Sequence, residues 1–223
     1  FYQLDMEMSF ASQEDVFKVI EPVMYNTFKK FSKKKIAEYP FPRITYKDAM
    51  LKYGSDKPDL RNPLYIIDLS EFFSRCTFKP FIGRTVRAIK VSGHKSKGFH
   101  EKMLDYAMKI GMKGLGYLEV QEDLSYKGPI DKFIPEELKK ELISLAKLEK
   151  NDTIFFIADS EKRATELAGQ IRTELGKRLD LIDEDVFKFC WIIDFPMFEL
   201  DDHGKLAFSH NPFSMPQGGL DAL

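Results

Sequence analysis

Residues 84–120, RTVRAIKVSGHKSKGFHEKMLDYAMKIGMKGLGYLEV, decide the fold class because they hold a strand, a helix and a second strand in succession. RTVRAIKVSG predicts a strand that ends in a turn. The segment after it predicts a helix that stops at Gly111, since glycine readily takes the left-handed conformation beyond a last helical turn. Gly114 and Gly116 precede the second strand instead of following one, which is the reverse of a dinucleotide-binding glycine loop.

The same alternation continues downstream. Residues 127–160 predict a loop, a helix and a strand, and residues 161–181 predict another amphipathic helix. Strands and helices in this order indicate an α+β module with its own core, which we place at residues 68–186. We predict that the module interrupts an outer domain formed by residues 1–67 and 187–223.

The outer flanks carry their own helix and strand signals. Ser12, with Asp15 three residues later, predicts a capping box at the start of a helix. A threonine-capped short helix is predicted to end at Gly54. FCWIIDF, residues 189–195, predicts a buried strand, and KLAFSHNPF, residues 205–213, predicts a strand that runs into a loop.

Residues 1–10, FYQLDMEMSF, alternate between polar and apolar side chains and therefore predict a strand. Gln3, Asp5 and Glu7 share its polar face. The Cα atoms of two carboxylates at this spacing lie about 6.5–7 Å apart on a strand. Such a pair can hold a substrate ammonium, a lysine or Mg²⁺; the alternative is a polar edge that faces solvent.

His210 and Asn211 stand before a proline near the end of the chain. A histidine there can carry charge toward an anionic ligand or donate as a neutral ring, and the alternative is a loop histidine without a role. The other histidines lack metal-ligand spacing, so a histidine-based metal site is not predicted.

Charge and composition exclude few function classes. The formal net charge is −1, so the total does not indicate a polyanion partner, although a local basic patch is compatible with it. The lysine run in KKFSKKKIAEYPFPR, residues 29–43, is interpreted as a solvated helix end, with an RNA contact as the alternative. Cys76 and Cys190 lie far apart, which fits a reducing cytoplasm, and no apolar run reaches membrane-span length.

Four segments, in this order, resemble bacterial-type aspartyl-tRNA synthetases of class II. They are FYQLDMEMSF (1–10), YGSDKPDLRNP (53–63), WIIDFPMFE (191–199) and FSHNPFSMP (208–216). The resemblance covers essentially the whole chain. It implies an α+β fold in which part of the antiparallel class II sheet, with its helices, is interrupted by a module similar to the GAD domain of tRNA-dependent amidotransferase subunits.

The resemblance also implies roles for individual residues. Residues 1–10 look like the second strand of the motif 2 hairpin, so Asp5, Glu7 and Gln3 are expected to face the L-aspartate pocket. His210 matches an aspartate-contacting histidine, while Asn211 stands where many relatives have a second histidine and is a possible second contact. Ser55, Asp56 and Lys57 belong to a matching segment, for which a fold-fixing turn is the simple interpretation.

The implied activity is a two-step aspartate–tRNA ligation. Aspartate attacks the α-phosphate of ATP, giving aspartyl-adenylate and pyrophosphate, and a ribose hydroxyl of the tRNA then attacks the activated carbonyl. Mg²⁺, tRNA(Asp) and possible use of tRNA(Asn), a homodimer and a cytoplasmic location are implied by the same resemblance. Motif 1, most of motif 2 and the motif 3 arginine are not matched, so the chain by itself is expected to be an inactive part of the enzyme.

Two other hypotheses stay open from the residues. One is a non-catalytic tRNA-binding module of an amidotransferase subunit, which would need neither Asp5, Glu7 nor FSHNPF. The other is a generic acidic-pocket enzyme without a tRNA, which leaves the long segment matches unexplained. Basic residues of the module would permit a phosphate contact or form ordinary solvated surface: Arg84, Arg87, Lys90, Lys95, Lys97 and Lys102.

Overall fold

The computed structural model of the chain describes residues 1–200 and 204–209. The helices are α1 (Gln13–Phe31), α2 (Tyr46–Tyr53), α3 (Ser70–Ser74), α4 (Lys97–Lys109), α5 (Glu136–Ala146) and α6 (Glu161–Arg178). The strands are β1 (Lys35–Ile36), β2 (Arg43–Thr45), β3 (Ile66–Asp68), β4 (Thr85–Val91), β5 (Gly116–Val120), β6 (Tyr126–Lys127), β7 (Thr153–Asp159), β8 (Val186–Phe187), β9 (Trp191–Ile193), β10 (Phe198–Leu200) and β11 (Leu206–Phe208).

Five strands form one antiparallel sheet in the order β3–β4–β7–β5–β6. β4 and β7 pair along their full length, from Thr85 opposite Asp159 to Val91 opposite Thr153. β3 and β6 are short and form the two edges, which limits the unpaired backbone that each edge presents. The expected α+β class is confirmed, and the strands predicted within residues 84–160 are present.

Both faces of this sheet are buried because successive residues of a strand point to opposite sides. One face packs against α3 and α5, and its fully buried side chains include Val86, Phe156, Phe73 and Leu142. The other packs against α4 and α6, and its fully buried side chains include Ile89, Phe155, Met103 and Ile171. A sheet covered on both faces explains why β7 reads as a nearly continuous apolar run, whereas β4 is interrupted by Arg87 and Lys90.

The helix caps follow the sequence signals. Ser12 and Asp15 form the predicted capping box at α1, in which the Asp15 carboxylate accepts from the Ser12 N–H at 2.9 Å. At α2 the Thr45 hydroxyl accepts from the Asp48 N–H at 3.1 Å. Gly54 then ends α2 in the left-handed conformation, with φ +69°. No helix within the described ranges has the length and apolar character needed to cross a membrane.

The two flanks of the chain pair with each other. β1 runs parallel to β8, and β2 runs parallel to β9. The Phe17 ring stacks on Trp191 with 4.1 Å between centroids, and the Trp191 indole N–H donates to Glu21 Oε1 at 2.6 Å. Segments that precede and follow the five-stranded sheet in the sequence therefore pack against each other.

Two details differ from expectation. No strand forms within residues 1–10, where all the side chains are exposed. A strand needs a partner for its backbone groups, and the described part of the chain provides none for this segment. β9 is half-buried instead of fully buried, because short β2 and α1 cover it only in part.

The predicted boundary at residue 67 falls inside β3, which belongs to the five-stranded sheet. The edge strand β3 therefore spans the predicted domain boundary. The division into residues 1–67, 68–186 and 187–223 stays a prediction, as does the identification of the central part with a GAD domain.

Candidate functional site

The polar side chains predicted for the aspartate pocket lie on the opening segment. Gln3, Asp5 and Glu7 are exposed and form no hydrogen bond or ion pair with the rest of the described chain. Their carboxylate and amide groups are consequently available to a ligand or to another strand. Their neighbours Tyr2 and Leu4 are equally uncovered, so the apolar face of the segment also lacks a packing partner here.

His210 and Asn211 lie outside the described residues. The preceding hairpin is described: Phe198 on β10 pairs with Phe208 on β11, and their rings lie 4.9 Å apart. The Ser209 N–H donates to Met197 O at 3.0 Å and continues the ladder toward the histidine. The expected convergence of His210 with the opening segment stays a prediction.

The segment YGSDKPDLRNP, residues 53–63, packs against α6. A Cβ placed on Gly54 would lie 2.5 Å from Thr165 O and 2.6 Å from the Gly169 backbone, so only glycine fits this contact. In the turn that follows, the Lys57 N–H donates to the Ser55 hydroxyl at 3.0 Å, and Lys57 Nζ lies 2.5 Å from Asp56 Oδ2. Ser55, Asp56 and Lys57 thereby form a compact turn at the point where α2 meets α6.

Arg172 of α6 holds the rest of this segment. Arg172 is 2% exposed, and its guanidinium donates to three carbonyl oxygens, of Leu64 at 2.6 Å, Asn62 at 2.7 Å and Asp59 at 3.0 Å. In return, the Asn62 amide donates to Arg172 O at 2.9 Å. The Arg172 guanidinium also lies 5.0 Å from the Tyr53 ring centroid.

Sequence reasoning missed Arg172. Burial lowers the pKa of its guanidinium, and the acceptors around it hold a charge that burial disfavours. The signal was present: Arg172 lies among Ala168, Ile171 and Leu175, which form the buried side of α6. A charged residue on an apolar helix face must be paired, and backbone carbonyls can supply the pairing without a carboxylate.

A cleft of about 270 Å³ opens between this segment and β8. Its lining residues are Pro58, Asp59, Leu60, Arg61, Val186, Phe187, Lys188 and Phe189. Arg61 is already engaged, since it pairs with Asp59 at 2.8 Å and with Glu184 at 3.2 Å. Its hydrogen bonds lower the pKa of the Asp59 carboxyl. These paired charges indicate a structural contact between the segment 53–63 and the residues just before β8.

The module histidines are held by protein groups. The His100 ring stacks on Tyr117 at 3.7 Å, and its Nε2 lies 3.1 Å from Glu119 Oε1. His94 Nε2 lies 2.8 Å from Val120 O. Within residues 1–200 and 204–209, no group of three or more histidine, cysteine, aspartate or glutamate side chains could hold a metal ion. Both cysteines are free.

Comparison with known proteins gives a consistent family. The family model described as tRNA synthetases class II (D, K and N) matches residues 1–222. The Aspartate–tRNA(Asp/Asn) ligase of Anaplasma phagocytophilum (strain HZ) is 53% identical over 231 aligned residues, which cover 100% of this chain and 38% of the relative. The ligase of the same name from Ehrlichia chaffeensis is also 53% identical, over 39% of its length, and that of Rickettsia felis is 50% identical, over 38%.

The chain therefore spans less than two fifths of the length of these relatives. Their names do not favour the alternative of an amidotransferase subunit. Since the family match extends over nearly every residue, the chain belongs to the class II tRNA synthetases of the D, K and N group.

Proposed function

We propose that this chain is part of an enzyme that activates L-aspartate with ATP and transfers it to tRNA. The observation that carries the proposal is the identity of about half of all residues, along the whole chain, with three aspartate–tRNA(Asp/Asn) ligases. The names of these relatives support tRNA(Asp) and tRNA(Asn) as the RNA substrates. A homodimer, a cytoplasmic location and a GAD-type module at residues 68–186 belong to the same proposal.

In this proposal Asp5 and Glu7, with Gln3, bind the ammonium group of aspartate or orient a lysine that binds its side chain. Two carboxylates that no described residue neutralises suit a cationic partner. His210 contacts the substrate carboxylate, and Asn211 adds an amide that can donate or accept. Held reactants of this kind react faster because their orientation is fixed before the chemical step.

ATP is the activating substrate in the proposal, and Mg²⁺ accompanies it. Magnesium is usually held by one or two carboxylates together with substrate phosphates, and not by a cage of protein ligands. The described residues form no such cage.

The test is aspartate-dependent pyrophosphate exchange by the natural gene product that contains this chain. Exchange with aspartate, and none with lysine or asparagine, is the expected result; exchange only with another amino acid would overturn the proposal. Asp5→Asn is expected to lower kcat/KM for aspartate by at least tenfold, because a lost hydrogen bond to a charged group costs about 1.4 kcal/mol or more. Asp105→Asn, an exposed carboxylate on α4, is the matched control.

For the loop, His210→Ala is compared with His203→Ala. A raised KM for aspartate in the first variant alone supports the assigned contact. Equal effects of both histidine variants would contradict it. The 223-residue chain by itself is expected to show no turnover in either assay, and measurable aminoacylation by it would refute that expectation.

A further inference from the structure

We infer that the lysine-rich end of α1 binds the sugar–phosphate backbone of RNA, and this inference rests on the proposed function, in which tRNA is the second substrate. Five lysines lie within residues 29–35, and we call them the lysine patch: Lys29, Lys30, Lys33, Lys34 and Lys35. All five side chains are exposed. Such a concentration of like charge repels itself, so it favours an anionic partner.

The helix dipole explains only part of the lysine patch. α1 ends at Phe31, and the Ser32 N–H caps it by donating to Phe28 O at 3.0 Å. The negative end of a helix stabilises cations within its last turn, which here contains Lys29 and Lys30. The three lysines after Ser32 follow the helix and need a different explanation.

Nearby carboxylates leave the lysine patch unpaired. Residues 183–185, just before β8, lie beside the lysine patch, and the Lys35 N–H donates to Asp185 O at 3.0 Å. Glu184, however, pairs with Arg61 at 3.2 Å, and the Asp183 carboxylate accepts from the Asp185 N–H at 3.0 Å. In the part of the chain that the structure describes, no carboxylate lies within 4.0 Å of a patch ammonium group.

Aromatic rings are interleaved with these lysines. Phe31 is 78% exposed, and Lys30 Nζ lies 5.3 Å from its ring centroid. On the adjoining strand β8, the Phe187 ring lies 5.8 Å from Lys34 Nζ. Ammonium groups that follow a phosphate backbone, beside ring faces on which bases stack, are the usual means of binding unpaired RNA.

RNA fits this arrangement better than a membrane surface does. Helices that bind membranes place their basic and apolar residues on opposite faces. Here Phe31 lies between Lys30 and Lys33, and all three side chains are exposed. The lysine patch therefore presents charge and an aromatic ring to one partner.

The test measures RNA binding by the natural gene product that contains this chain. A triple variant, Lys33→Gln with Lys34→Gln and Lys35→Gln, is compared with a control of equal charge. The control replaces three exposed lysines of the central part by glutamine: Lys113, Lys140 and Lys150. Affinity for a labelled tRNA transcript is followed by fluorescence anisotropy between about 50 and about 200 mM salt.

We expect the patch variant to bind on the order of ten- to a hundredfold more weakly, and the slope of log K against log salt to fall by about 2, because each lost phosphate contact removes about 0.7. Phe31→Ala should weaken binding by about tenfold and leave the slope unchanged, since stacking releases no counterions. The control triple should change neither quantity.

Equal losses in the patch and control triples would overturn the inference, because they would report only the total charge. Unchanged RNA affinity, with lost binding to phosphatidylglycerol vesicles, would also overturn it. Pyrophosphate exchange is measured on every variant, since it needs no tRNA. If the parent protein shows no exchange, the proposed function is refuted. If exchange is retained but RNA affinity does not change in the patch variant, only the inference about the lysine patch is refuted.

Discussion

Replacement of Arg172 should uncouple the segment 53–63 from α6. Arg172→Ala removes a buried guanidinium that donates to the carbonyl oxygens of Asp59, Asn62 and Leu64 at 2.6–3.0 Å. Hydrogen bonds to a charged group contribute about 1.5–3 kcal/mol each before the cost of burying the charge. Burial of a guanidinium offsets several kcal/mol of this sum.

We therefore expect Arg172→Ala to lower the free energy of unfolding by about 3–5 kcal/mol, because two buried acceptors and a partly buried one lose their donor at once. Arg172→Lys should cost about 2 kcal/mol, since an ammonium group cannot reproduce the spread of the guanidinium donors. Arg178→Ala is the matched control on the same helix. Arg178 pairs with Glu174 at 2.6 Å in a partly exposed i,i+4 geometry, and such pairs contribute below about 1 kcal/mol.

The assay is urea unfolding of the 223-residue chain, followed by two probes. Trp191, the only tryptophan, lies against Phe17 and reports on the paired flanks. Far-ultraviolet circular dichroism reports on all the helices. In Arg172→Ala the tryptophan transition should precede the dichroism transition, because the flanks lose their hold on α6. Coincident transitions, with a loss no larger than that of Arg178→Ala, would refute the reasoning.

Two further predictions concern the same junction. Gly54→Ala should lower the free energy of unfolding by more than about 2 kcal/mol, since it adds a clash with Thr165 O to the cost of a positive φ. The control is Gly83→Ala, which has the same φ of +69° but open space around it and should cost about 1 kcal/mol. Equal melting temperatures of the two variants would contradict the clash. The hydrogen bond from Arg61 lowers the pKa of the Asp59 carboxyl in the folded chain. The stability that this carboxylate contributes is therefore fully present above its unfolded pKa of about 4, and it is lost as the pH falls through the lower pKa of the folded state. Asp59→Asn should thus be less stable than the parent near neutral pH and lose less stability on acidification; parallel urea midpoints from about pH 6 to about pH 3 would contradict this.

The helices and the main strands could be predicted because their signals are local. Ser12 with Asp15, and Gly54 after α2, satisfy backbone groups within a few residues of themselves, so their spacing carries the structure. The apolar run of β7 likewise records burial on both faces. The pairing of β2 with β9 could not be read in this way, because it joins residues almost 150 positions apart and short strands leave no distinctive period.

Arg172 explains why the segment 53–63 has an unusual sequence. The residue types alone assign this string of charged and turn residues no chemistry, and its carbonyl oxygens and Gly54 are engaged by α6. Local sequence shows which residue types a segment requires. A segment whose backbone is held by buried hydrogen bonds requires particular residues as strictly as a catalytic segment does. Only the position of Arg172 on the apolar side of α6 distinguishes the two cases before a structure is known.

The opening segment presents the reverse problem. Alternation in FYQLDMEMSF predicts a strand correctly only if a partner strand lies beside it, because strand structure belongs to a pair of segments. Among the described residues the segment has no such partner, and the side chains on both faces, Asp5 and Glu7 included, are exposed. The pocket that we propose for aspartate therefore depends on groups contributed from outside residues 1–10. A synthetic peptide of residues 1–10 would not bind aspartate, whereas the natural gene product that contains this chain should bind it and lose affinity on Asp5→Asn; equal affinity of both variants by calorimetry would remove Asp5 from the site.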